Sequence, residues 1–345
     1  MLDPSLALRI VTGEPLNAET PLPALLETET PAGLVFVRSH FALPRADRDR
    51  RLEVRGAVGS PLSIPVHEIR SLPARTVHVT LECAGNGRTS MRPVPAGTPW
   101  GHGALSAVRV TGTPLHHVLD RTRVSATAVE ALFVGADRGE VAPGRIEPFA
   151  RSLPIEAALD PETLLVWEMG GEPLSHDHGH PLRLVVPGWY GVASVKWLQE
   201  VQILERPFEG FFQRDHYVFS GDKGTPEGEP VRRIRTRSLI LDPVDGATVR
   251  RGAIEVRGAA WTGLGEIERV EVRAGGADWS VVDLERAPSR YGMCRWRFVW
   301  NADAPGRQAL ACRAMDSSGR TQPETRWNRL GYGNDAPHTI TVEVA

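Results

Sequence analysis

The chain has 345 residues, comfortable for two ordinary domains and too many for one common-sized core. Its 40 basic and 42 acidic side chains leave a formal charge of −2 with no charged tail, which argues against the basic face of a nucleic-acid binder. Three cysteines (Cys83, Cys294 and Cys312) are too few for a disulfide framework and match no zinc spacing.

Residues 1–33, rich in Pro, Glu and Thr, read as an irregular arm. The body begins at the apolar run Leu34–Val37 and continues with strand-like alternation over Arg51–Val58 and a small helix over Val66–Leu72. Thr76–Leu81 alternates with period two, rich in β-branched residues, the pattern of a half-buried strand. It runs into Glu82-Cys83-Ala84-Gly85-Asn86-Gly87-Arg88, whose small residues permit a sharp turn and close backbone approach to a ligand. Short helices over Pro114–Asp120 and Ile155–Leu159 are interleaved with strands over Val129–Gly135, Leu164–Glu168, Leu182–Val186 and the Ser194–Leu204 stretch. That is the texture of a mixed α+β domain, without the regular alternation of a doubly wound sheet. After the turn-rich stretch 221–237, residues 238–345 repeat strand, turn, strand, as in a β-sandwich of roughly one hundred residues. Cys294 and Cys312 fall on the apolar faces of two of its strands; burial as small hydrophobes is the simplest reading, and a disulfide needs geometry that sequence cannot supply.

A lone cysteine at a strand end is most often a core residue. Against that stand the Ala-Gly-Asn-Gly turn with its free N–H groups and the nearby Arg88, which favours a thiolate. From chemistry alone, metal ligand and catalytic nucleophile are equally compatible with Cys83, since eleven histidines offer a base.

The segment Leu81–Arg88, LECAGNGR, resembles the LQCAGNRR-type motif of the sulfite oxidase family of molybdenum-cofactor enzymes. Further resemblances follow in family order: Phe36–His40, Trp100 with Gly103–Ser106, Glu168–Leu174, Asp177–Arg183, Val186–Gly191, Ser194–Leu198 and Trp327-Asn328 with His338. Together they cover residues 34–345, and their order is more specific than any one of them. The resemblance implies a sulfite-oxidase-type molybdopterin domain (34–237) followed by an immunoglobulin-like β-sandwich dimerisation domain (238–345). It implies molybdenum held by Cys83, and a pterin dithiolene contacted by His40, His178, Arg183, Ser194 and Lys196, all donors suited to anionic oxygens. It places Arg38 and Arg88 in the substrate pocket and Trp100 on its wall.

Two segments depart from the family pattern. Where the family has a tyrosine in D-Y-K, this chain reads Gln213-Arg214-Asp215-His216-Tyr217, with His216 at the tyrosine's place. Where W-N-x-R-G supplies a third arginine, Trp327-Asn328-Arg329-Leu330-Gly331 carries it one position early. His216, Tyr217 and Arg329 are accordingly the remaining candidates for the pocket.

The activity so implied is oxygen-atom transfer, foremost sulfite to sulfate, with electrons passed to a separate acceptor such as a c-type cytochrome. The chain has no Cys-x-x-Cys-His, so no haem is expected. The alternatives are another small substrate (sulfoxide or nitrate reduction), a thiol hydrolase built on Cys83, and a non-catalytic sandwich binding protein. A homodimer is expected, with no nucleic-acid partner. No apolar run is long enough to cross a bilayer and no export signal is visible. The expectation is therefore a soluble, cytoplasmic protein, periplasmic if a signal has been removed.

Overall fold

A computed structural model describes residues 5–47 and 49–345. The N-terminal arm is not irregular: Arg9–Thr12 and Asn17–Glu19 form a three-stranded sheet with Val37–Arg38, and Leu22–Leu26 turns as a 3-10 helix that buries Leu25. Its polar composition hid the fact that Asn17, Ala18 and Glu19 are buried on the body.

Two five-stranded sheets form the first domain. In one, Leu105–Pro114 lies between Arg75–Glu82 and Leu164–Met169, with Glu172–Pro173 and Arg183–Val185 each pairing the latter. In the other the order is Leu62–Pro65, Arg51–Gly56, Leu198–Leu204, Glu130–Ala142, Arg145–Pro154, with Leu198–Leu204 running parallel to Arg51–Gly56. The helices are single turns, Val66–Ile69, His116–Leu119, Ile155–Ala158 and Phe211–Arg214. The long strands Leu105–Pro114 and Arg145–Pro154 escape sequence reading because their residues do not alternate; the first is buried on nearly every residue.

The second domain is a sandwich of a four-stranded and a five-stranded sheet, starting at Arg237–Asp242 and ending at His338–Val344. Its own core contains Val256, Val270, Trp296, Leu310 and Ile340, with both Cys294 and Cys312 buried as free thiols. The larger core of the first domain reaches across the junction to Leu239, Ala259 and Trp261.

Two histidines meet at that junction, His102 and His338, with ring centroids 4.6 Å apart and edge to face. His338 Nδ1 accepts the Ile240 N–H at 3.1 Å, so the ring sits there neutral. Burial, aided by Arg237, brings His338 down to about 4, and burial beside His338 holds His102 well below its ordinary value. The unfolded chain takes up protons on these rings that the folded chain refuses. Their contribution to stability is therefore present above about pH 6.5 and lost as the pH falls toward 4. We expect the thermal unfolding midpoint to fall over that window, and His338→Gln to flatten the slope; equal slopes in both proteins would contradict this.

Candidate active site

The strand Arg75–Glu82 ends at the cysteine. Val77, Val79, Leu81 and Cys83 share one buried face, while Glu82 turns to the other. Beyond it Gly87, at φ 79°, takes the left-handed turn that brings in Arg88. Cys83 N–H donates to Ala104 O at 2.9 Å and Cys83 O accepts from Asn86 N at 2.9 Å, so the turn is tied to the neighbouring strand and to itself.

Cys83 lines two hollows. One is a cleft lined by Arg38, His40, Cys83, Asp137, His178, Arg183, Ser194, Lys196 and Tyr217 among others. The other lies at the sulfur, lined by Arg38, Arg88, Trp100, His216, Tyr217, Leu330 and Tyr332 among others. Residues far apart in sequence thus converge on one sulfur.

In the cleft, the His178 ring lies between Ser175 Oγ (2.8 Å) and Phe36 O (3.2 Å), and burial beside Arg183 brings it down to about 4. Arg183 donates to His178 O and Ser194 O, both at 3.1 Å. Ser194 Oγ accepts from Val186 N, and Lys196 Nζ donates to Asp177 O at 2.7 Å and Ser39 Oγ at 3.2 Å. The lining holds three cations, Arg38, Arg183 and Lys196, against one carboxylate, Asp137. Burial and the nearby Arg183 push Lys196 down to about 7, and burial lifts Asp137 to about 6. Asp137 Oδ1 is buried with no hydrogen-bond partner. A cationic interior with an orphaned acceptor suits a ligand that is anionic at one end and carries N–H donors at the other. A pterin with a phosphate tail meets both requirements, so the residues present fit the group. Sequence reading overlooked Asp137, which sits in the unremarkable stretch Gly135-Ala136-Asp137-Arg138.

In front of the sulfur, Arg38 Nη1 donates to Asn17 Oδ1 (3.0 Å) and Ser39 O (2.6 Å). Arg88 is buried, donating to Thr98 O at 2.7 Å and Leu330 O at 3.0 Å, with its guanidinium 5.3 Å from the Tyr332 ring centroid. Burial pushes the Cys83 thiol up, against the opposing pull of Arg38, the Gly85 amide and Arg88. Arg88 alone therefore does not make a free thiolate, and a bound metal would be what deprotonates the sulfur.

The two departures resolve differently. Tyr217, buried with φ 55°, stacks on Tyr332 at 4.9 Å, and its Oη lies 2.6 Å from His40 Nε2. His216 is exposed on the rim against Phe211. The left-handed backbone at 217 is what turns the tyrosine inward despite its one-residue offset. Arg329 is a correction: its side chain is exposed and lines neither hollow. Asn328 fixes that loop by bonding Tyr332 N and O, which sends Leu330 and Tyr332 inward and Arg329 outward.

Residues 40–212 match a family model described as the oxidoreductase molybdopterin binding domain, and residues 229–345 one described as the Mo-co oxidoreductase dimerisation domain. Rat mitochondrial sulfite oxidase is 35% identical over 98% of this chain, which spans 66% of that protein's length. Sulfite oxidase of Arabidopsis thaliana is 31% identical, covering 98% of this chain and 94% of its own length. The chain belongs to the sulfite oxidase family. Among solved structures, the sulfane dehydrogenase SoxCD from Paracoccus pantotrophus superimposes with a TM-score of 0.84 at 26% identity, over 98% of this chain and 91% of its own. The fold is thus the mixed α+β molybdopterin-binding domain and immunoglobulin-like sandwich of that family. Among the described residues, no helix is long and apolar enough to cross a membrane.

Proposed function

We propose that the protein is a molybdenum-dependent oxidoreductase that converts sulfite and water to sulfate, two protons and two electrons. The observation that carries this reading is the convergence of Cys83, Arg38 and Arg88 on one pocket that shares Arg38, Cys83 and Tyr217 with the cationic cleft. In this reading the first domain holds the cofactor, with Cys83 as the metal's protein ligand, and the sandwich domain pairs two copies of the chain.

When bound, the molybdenum cofactor supplies the oxygen-atom transfer and takes up the electron pair. The protein's residues bind and orient. Arg38 and Arg88 give the anion charge-assisted donors, and Trp100, 1% exposed, closes the wall behind it. Burial keeps the Tyr217 phenol protonated, while burial beside Arg38 keeps His40 neutral. The Tyr217 hydroxyl and His40 Nε2 share one hydrogen bond, and through it the pair can relay a proton between the two groups. His178, Arg183, Ser194 and Lys196 hold the pterin and its phosphate. Electrons leave to a separate protein, for which a c-type cytochrome is the natural class.

The outward Arg329 favours a second reading. With two arginines and with Leu330 and Tyr332 in the pocket, a less highly charged oxygen-atom donor or acceptor also fits. Steady-state assays of the metal-loaded protein with an artificial one-electron acceptor separate the two. Saturable sulfite oxidation is expected; no turnover of sulfite, with turnover of another small substrate, would replace the first reading by the second.

A further inference from the structure

The turn that presents Cys83 is gripped from the sandwich domain. Glu82, 1% exposed, accepts from Arg237 Nη1 at 2.8 Å and Asn86 Nδ2 at 3.0 Å on Oε1, and from Trp261 Nε1 at 2.8 Å on Oε2. Arg237 is equally enclosed, and the same Nη1 reaches Asn86 O at 3.2 Å. One guanidinium nitrogen thus joins both ends of the turn around the sulfur. A Cβ at Gly87 would crowd Arg237 Nη2 and Asn334 Nδ2, each at 3.0 Å, and the left-handed backbone there favours glycine as well. The backbone is tied from the same side, Gly333 N to Ala84 O at 2.7 Å and Asn334 Nδ2 to Gly87 O at 2.8 Å.

We propose that Glu82 and Arg237 are positioning residues, an interdomain charge clamp that sets where Cys83 stands relative to the cofactor cleft. A fully buried ion pair is a poor source of stability, because the desolvation of both charges offsets most of their attraction. A glutamine at 82 has a single acceptor oxygen, so as the donors stand it could keep the bond from Trp261 or that from Asn86, but not both. What the charged pair adds is a rigid, directional tie between the two ends of the turn and a strand of the other domain. The sandwich is in this view part of the catalytic scaffold, and not solely a surface for pairing chains.

The inference rests on Cys83 as the metal ligand, which the metal content of Cys83→Ser tests separately. Glu82→Gln, Arg237→Met and the double variant are compared with wild type as full-length, metal-loaded protein. Each single variant leaves one buried charge unpaired and lowers the unfolding midpoint; the double variant leaves none and recovers most of it. If the clamp positions Cys83, kcat with sulfite in the double variant stays about 10- to 100-fold low, with KM within about twofold. Its electron paramagnetic resonance signal after partial chemical reduction is shifted from wild type, a readout independent of which substrate the enzyme takes. Recovery of kcat and of the wild-type signal along with stability would make the pair merely structural and overturn the proposal. Should the single variants fail to accumulate, the double variant alone decides between these outcomes.

Discussion

Cys83→Ser will lose sulfite turnover by more than about 100-fold and will hold less molybdenum than wild type, while remaining folded. Loss of a direct ligand should exceed the 10- to 100-fold cost typical of residues that only support a ligand. Serine keeps the side chain's size, and its backbone bonds to Ala104 and Asn86 remain available, so the turn has no reason to collapse. His178, Arg183 and Lys196, which line the cleft and are the proposed pterin contacts, also remain, which is why the organic part of the cofactor should be retained better than the metal. Metal analysis together with steady-state kinetics checks this. Undiminished, tightly bound molybdenum in the serine variant would contradict ligation by Cys83. Loss of activity on alkylation without loss of metal would instead point to a thiol nucleophile.

Arg88→Met will lower kcat/KM for sulfite by about 10²- to 10³-fold, the scale seen when one donor to a developing anion is removed. The guanidinium is buried, so its field in the pocket is poorly screened. It also carries structure: Thr98 O and Leu330 O lose their donor, and the contact with the Tyr332 ring goes with them. A drop in thermal stability should therefore accompany the kinetic loss. Arg329→Met is the contrast. Its side chain is exposed and outside both hollows, so kcat/KM should stay within about twofold of wild type. A large loss in Arg329→Met would mean that this loop turns inward when substrate binds.

The ordered motifs from Phe36 to Trp327 were legible because cofactor chemistry demands particular donors at turns, and turns leave local signatures in glycine and proline. The strand before Cys83 was legible because alternation over Thr76–Leu81 matches a face that the structure buries. Leu105–Pro114 was not, since a strand covered on both sides shows no alternation. The arm misled for another reason. Its polar residues are buried because they pair with specific partners, Asn17 with Arg38 and Glu19 with Arg9, and composition cannot report pairing.

The sequence alone therefore determined the family and the cofactor class, and singled out Cys83 as the candidate ligand. Tertiary structure decided how the offset segments face. The left-handed backbone at Tyr217 turns a displaced tyrosine into the pocket, and the Asn328 bonds turn Arg329 out of it. It also brought in Asp137, and it showed Glu82 and Arg237, 155 residues apart, closing on the turn that holds Cys83. Which way a side chain points depends on backbone dihedrals and on partners distant in the chain. Spacing within a motif encodes neither.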